Sequence, residues 1–139
     1  MSLFLNLRIL LLASCTGIVL VALLGSGNVS AQAADAAAHK AWMNDASDAQ
    51  EDYRFAISGK DAKGAGEALA KLETLMARTE DYWAAKKAAD GVKLARDARA
   101  LAAQGAAAAR GGNLAAAGDA FDKMGVTCNA CHELHLEKK

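Results

Sequence analysis

From about residue 35 onward, apolar side chains recur at the spacing of one helix face and never alternate as a half-buried strand would, so the pattern predicts helices throughout. Between Asp35 and Ile57 the stripe is Trp42, Ala46, Ala49, Tyr53 and Ala56, flanked by Met43 and Ile57, while Asp45, Asp48, Glu51, Asp52 and Arg54 keep to other faces. Ser58-Gly59-Lys60-Asp61 then predicts a glycine stop followed by an aspartate cap. A second helix from Asp61 turns Ala65, Leu69, Leu72, Leu75 and Met76 inward, with Tyr82 and Trp83 extending that face past Thr79-Glu80-Asp81, a candidate break. Asp90-Gly91 predicts the next turn. Beyond it Leu94, Ala95, Ala98, Leu101 and Ala102 carry a third helix to Ala109, stopped by Gly111-Gly112-Asn113. A fourth starts on Asn113 as its cap and runs through Leu114, Ala117, Phe121, Met124, Cys128, Cys131 and His132 toward Leu136.

Helices joined by short connections pack as antiparallel neighbours, and a chain this small buries four stripes only around one core. The expected fold is all-α, an up-down-up-down antiparallel four-helix bundle over residues 32–139. The sequence contains no proline, and its many inner alanines allow close helix approach while burying little area per residue.

The first part of the chain follows another pattern. Arg8 precedes the apolar run Ile9 to Leu24, which ends in the small-residue stretch Gly25-Ser26-Gly27-Asn28-Val29-Ser30-Ala31. That order is expected of a secretory signal peptide over residues 1–31, with cleavage after Ala31 or after Ala33. An uncleaved membrane anchor and a lipoprotein signal at Leu12-Ala13-Ser14-Cys15 are the rival readings. The segment holds Arg8 and no acidic residue, so the remainder carries 15 basic against 16 acidic side chains. Near-neutrality implies no nucleic-acid partner. Cleavage would also remove Cys15, and export would put Cys128 and Cys131 in an oxidising compartment.

Residues 128 to 132 read Cys-Asn-Ala-Cys-His, the attachment pattern of c-type haem. On a helix, thiols three residues apart and the histidine after the second lie on one side of a turn. They can thus bind the two porphyrin vinyl groups as thioethers and place an imidazole on the iron. One haem c is therefore expected, held by Cys128 and Cys131 with His132 as axial iron ligand. A disulfide, a thioredoxin-like dithiol and half of a zinc site use the same cysteine spacing. The dithiol reading expects strands that this pattern lacks, and zinc would need two further ligands, available only from His39, His132, His135 and the carboxylates. No paired carboxylates, serine nucleophile context or phosphate-cradling glycine loop is present, so the chain is not expected to be an enzyme.

The bundle pattern, the motif's place near the end of the last helix, and the string Met124-Gly125-Val126-Thr127-Cys128-Asn129-Ala130-Cys131-His132-Glu133 resemble the class II c-type cytochromes, the cytochrome c′ group and its low-spin relatives. The likeness extends over the whole predicted bundle in layout and is specific only in these last residues. It implies a periplasmic, haem-binding four-helix bundle that commonly pairs as a homodimer. It also implies that the sixth iron position faces the first helix, where Met43 matches the methionine ligand of low-spin members. His39, four residues earlier on the same face, is the alternative ligand, although a histidine at a helix start is ordinarily solvated. Trp42, Tyr53, Phe121 and Trp83 are expected to pack against the macrocycle or fill the core. Met76 and Met124 are expected in the core, and His135 in the charged tail is expected to be solvated. A filled sixth position would make an electron carrier that cycles iron between Fe(II) and Fe(III) with redox partner proteins. An open one would make a binder of the small gases NO or CO.

Overall fold

The computed structural model describes residues 36–135, so the expected leader with Arg8 and Cys15, and the chain beyond His135, lie outside the described residues. Within them the elements are α1 (Ala36–Ser58), α2 (Ala62–Ala85), α3 (Ala89–Arg110) and α4 (Leu114–His135), separated by connections of three residues each. The helices pack in chain order, α1 on α2, α2 on α3 and α3 on α4, with α2 touching α4 across the diagonal. This is the expected up-down-up-down bundle. The backbones of α1 and α4 approach each other at most marginally. Antiparallel packing brings the start of α1, the end of α2, the start of α3 and the end of α4 to one end of the molecule. No helix among the described residues is long and apolar enough to cross a membrane.

All three connections are the same device. After α1, Lys60 N–H donates to the Ile57 carbonyl (3.0 Å) and Asp61 N–H to that of Ala56 (2.8 Å); after α2, Lys87 bonds Ala84 and Ala88 bonds Trp83; after α3, Gly112 bonds Ala109 and Asn113 bonds Ala108. These paired reverse bonds satisfy the last carbonyls of each helix, and they need a residue in the left-handed region. Gly112 (φ 78°) fills that place after α3, but lysines fill the other two, Lys60 (φ 55°) and Lys87 (φ 58°). Gly59 is thus not the left-handed stop. The third residue of each connection also opens the next helix. Asp61 Oδ1 accepts from Gly64 N–H and Asn113 Oδ1 from Ala116 N–H, both at 3.0 Å, whereas Ala88 offers no side-chain cap to α3.

Two expected boundaries move. α2 runs unbroken through Thr79-Glu80-Asp81; Thr79 is buried there with its hydroxyl satisfied inside the helix, donating to the Leu75 carbonyl at 3.0 Å. The turn expected at Asp90-Gly91 lies instead at Lys86–Ala88, and Gly91 sits in the first turns of α3. There it serves packing, since a Cβ on Gly91 would lie 2.6 Å from Trp83 Cγ.

The core is a row of α2 side chains, Leu69, Leu72, Leu75 and Met76, set against small residues of the other helices. The residues that α3 buries, Gly91, Ala95, Ala98, Ala102, Gly105, Ala106 and Ala109, are all glycine or alanine, so neighbouring helices come close. A Cβ on Gly105 would stand 3.1 Å from Leu69 Cδ1 and 3.3 Å from Ala120 Cβ. Ala46, Ala49, Tyr53 and Ala56 are buried from α1, and Ala117, Ala120 and Met124 from α4. Each buried leucine contributes about 1.5–3 kcal/mol of apolar burial and each alanine much less. The bundle is therefore held by few large side chains, Leu69, Leu72 and Met124 being the largest that are fully buried.

Candidate cofactor-attachment site

The core stripe of α4 continues Ala117, Ala120 and Met124 into Cys128, which is half-buried and packs against the core, and then into Cys131 and His135, also half-buried. His132 is one residue off the stripe and exposed. The helix thus carries two half-buried cysteines at consecutive turns, the first of them packed on the core, with the exposed imidazole next to the second. The sulfurs are not joined to each other. Burial, and then the neighbouring Cys131, push the Cys128 thiol up to about 11; burial and then Asp90 raise Cys131. Both groups are held as neutral thiols, the opposite of the depressed thiolate on which a thioredoxin-like dithiol depends.

The facing wall comes from α1. Trp42 and Met43 are half-buried and pack on the core. His39 does not lie in solvent as a histidine at a helix start usually does. Its ring is half-buried and stacks on Tyr82 at 4.0 Å between centroids and 5° between planes, with Trp83 edge-on at 5.6 Å and Trp42 at 6.5 Å. Burial holds His39 below its ordinary pKa, and His132 and Lys86 lower it further. His132 thus lies within electrostatic reach of His39, which relates the first turns of α1 to the last turns of α4.

His135 also departs from expectation. Its side chain is only 16% exposed, its Nε2 lies 3.2 Å from Asp90 Oδ2, and its ring packs on Trp83 at 4.2 Å. This contact makes Trp83 the hub of the end, touched by His39 from α1, Tyr82 from its own helix, Gly91 from α3 and His135 from α4. Sequence reading places Tyr82 and Trp83 on the inner face of α2 but cannot show this cluster, because it depends on how four helix ends align.

Higher in the bundle Tyr53 stacks on Phe121 at 4.2 Å, a contact that bridges α1 and α4 where their backbones stay apart. Met76 and Met124 are buried in the core as expected. Among the described residues no three His, Cys, Asp or Glu side chains gather as a bare metal ion requires. A haem iron, which brings its porphyrin nitrogens with it, asks the chain for only one or two ligands. No protein-family model, curated protein or solved structure matches the chain.

Proposed function

We propose that the chain is an exported monohaem c-type cytochrome of the class II kind, and that it acts as an electron carrier rather than an enzyme. The observation that carries this reading is the Cys128-Asn129-Ala130-Cys131-His132 motif on the last helix of a four-helix bundle, with both cysteines half-buried and Cys128 packed on the core. The surroundings fit the group. α1 and α4 leave a seam between their backbones, aromatic and thioether side chains line the facing wall, and buried ring nitrogens without partners lie at the same end. Cys128 and Cys131 would hold the porphyrin as thioethers and His132 would take one axial position.

Bound there, haem supplies a one-electron couple whose potential follows its axial ligands and burial. The chain's own residues would seat the group between α1 and α4, exclude water with Trp42, Phe121 and Met124, and offer Met43 to the iron. Periplasmic residence rests on the N-terminal segment, and redox proteins are the implied partners. Near-neutral charge points to docking through local patches rather than a long-range field.

The test is the optical spectrum of protein made with a haem-attachment system, oxidised and reduced, with and without carbon monoxide. A sharp low-spin reduced spectrum indifferent to carbon monoxide is expected, with Met43→Ala converting it to a high-spin form that binds the gas. A wild-type spectrum already high-spin and responsive to carbon monoxide would replace electron transfer by NO or CO binding.

A further inference from the structure

Phe55 stands 83% exposed near the end of α1, more than any other large apolar side chain of the described residues. Asp48, Glu51 and Asp52 precede it by seven, four and three residues, spacings that gather them around the phenyl on the outer face of the helix. All three are exposed, as is Asp45 one turn before them. No base among the described residues pairs with these four carboxylates, since every ion pair lies on the other helices. Arg54, beside Phe55 in the chain, lies instead against the Phe121 ring, 5.4 Å from its centre. Like charges three and four residues apart destabilise a helix, so α1 keeps this face at a cost to its own stability.

Beside the phenyl runs an open groove of about 320 Å³ between the end of α1 and the start of α2, floored by Ala56 and Ala68 and edged by Asp52, Asp61, Glu67 and Lys71. Two of these acids are engaged within the chain, Asp61 Oδ1 by Gly64 N–H and Glu67 by Lys63 at 2.6 Å, which leaves Asp52 open. Across the bundle the sign reverses: α1 carries four acidic against two basic side chains, and α3 four basic against two acidic. A second copy meeting this face with its own equivalent would oppose like charges. Three of the bases on its α3, Lys93, Arg96 and Arg99, are already paired with acids of their own chain. Nucleic acids and anionic lipid surfaces are repelled by the same carboxylates.

We propose that the Phe55 face of α1 docks a partner protein through a basic surface, whose lysine or arginine side chains meet Asp48, Glu51 and Asp52 around an apolar contact with the phenyl and its groove. In such a surface the aromatic anchor supplies most of the affinity once covered, while the charged rim steers the approach and rejects partners of the same sign. A guanidinium placed over the ring adds a cation–π attraction. Phe55 lies about 24 Å along α1 from His39, at the end away from the motif. A partner held there leaves the motif end uncovered, so both ends of the bundle can be occupied at once. Docking at this face requires no bound haem.

The test uses the purified chain, its haem content measured by mass, and as probe a dye-labelled helical peptide with arginines on one face around a leucine. A counterpart peptide has glutamates in place of the arginines. Fluorescence anisotropy should show binding of the arginine peptide alone, weakened severalfold between low and physiological salt. Phe55→Ser should weaken it about tenfold, and Asp48→Asn combined with Asp52→Asn about as much. Both variants should melt no lower than the wild type, because Phe55 is exposed and the paired change removes like charges. Asp119→Asn combined with Asp122→Asn, on α4, should leave binding unchanged. No binding, binding that survives Phe55→Ser, or an equal loss in the α4 variant overturns the proposal. So does sedimentation in which the wild type self-associates and Phe55→Ser does not, since the occupant would then be a second copy.

Discussion

Tyr53 carries opposing contributions to stability. Its ring stacks on Phe121 and joins α1 to α4, while its hydroxyl is buried without a partner. Removing only the hydroxyl keeps the stack and deletes an unsatisfied group, so Tyr53→Phe is expected to stabilise the fold by up to about 1 kcal/mol in urea denaturation. Its alkaline behaviour follows from the same burial. Desolvation, and then Asp122, hold the phenol above its ordinary 10.0. In the alkaline range the unfolded chain gives up this proton before the folded one does. The contribution is therefore fully present below pH 10.0 and is lost as pH rises through the folded value. Unfolding midpoints measured across that range should fall less steeply for Tyr53→Phe than for the wild type.

At the scale of elements, the three connections form a natural comparison. A side chain in the left-handed region costs about 1 kcal/mol relative to glycine. Lys60→Gly and Lys87→Gly should each raise the melting temperature with an unchanged circular dichroism spectrum. Ala88 occupies the place where Asp61 and Asn113 cap their helices. Ala88→Ser should add about 1 kcal/mol through a bond to the first turn of α3, and no gain would mean that the introduced hydroxyl fails to reach it. These turns also explain where sequence and structure part. All four helices are legible from apolar spacing, as are the Asp61 and Asn113 caps and the glycine stop at Gly111-Gly112. The second turn is misplaced because Asp90-Gly91 has turn chemistry, whereas the residue that bends the chain is Lys87, and lysine gives no such signal. Thr79 looks like a break because its local bond to Leu75 cannot be read from the string.

At the scale of the molecule, the site divides along the same line. The Cys128-to-His132 motif is contiguous, so the attachment chemistry proposed for it is read from the sequence without a fold. The end cluster is not, since His39, Trp83, Gly91 and His135 meet only when four helices have the right lengths and register, and isolated histidines near helix ends are more often solvated. Gly91→Ala tests that register directly. With a Cβ 2.6 Å from the indole, Trp83 must move. The change should cost about 1–3 kcal/mol and alter tryptophan fluorescence and near-ultraviolet dichroism while leaving helix content intact. Retention of both spectra and of stability would mean that the end of the bundle is loosely packed.

The chain-order packing of the helices also fixes an order of assembly. Each helix finds its main partner only three residues away along the chain, so the loops to be closed are short and pairing can proceed from one hairpin to the next. The meeting of α1 with α4 is the exception, because it joins the two ends of the bundle with the least backbone contact to reward it. It is therefore the joint to close last and open first, and it is where the two walls of the site face each other. A group fastened to Cys128 and Cys131 and gripped from α1 would act as a clasp across that joint, so the loaded chain should resist the opening that the bare chain allows.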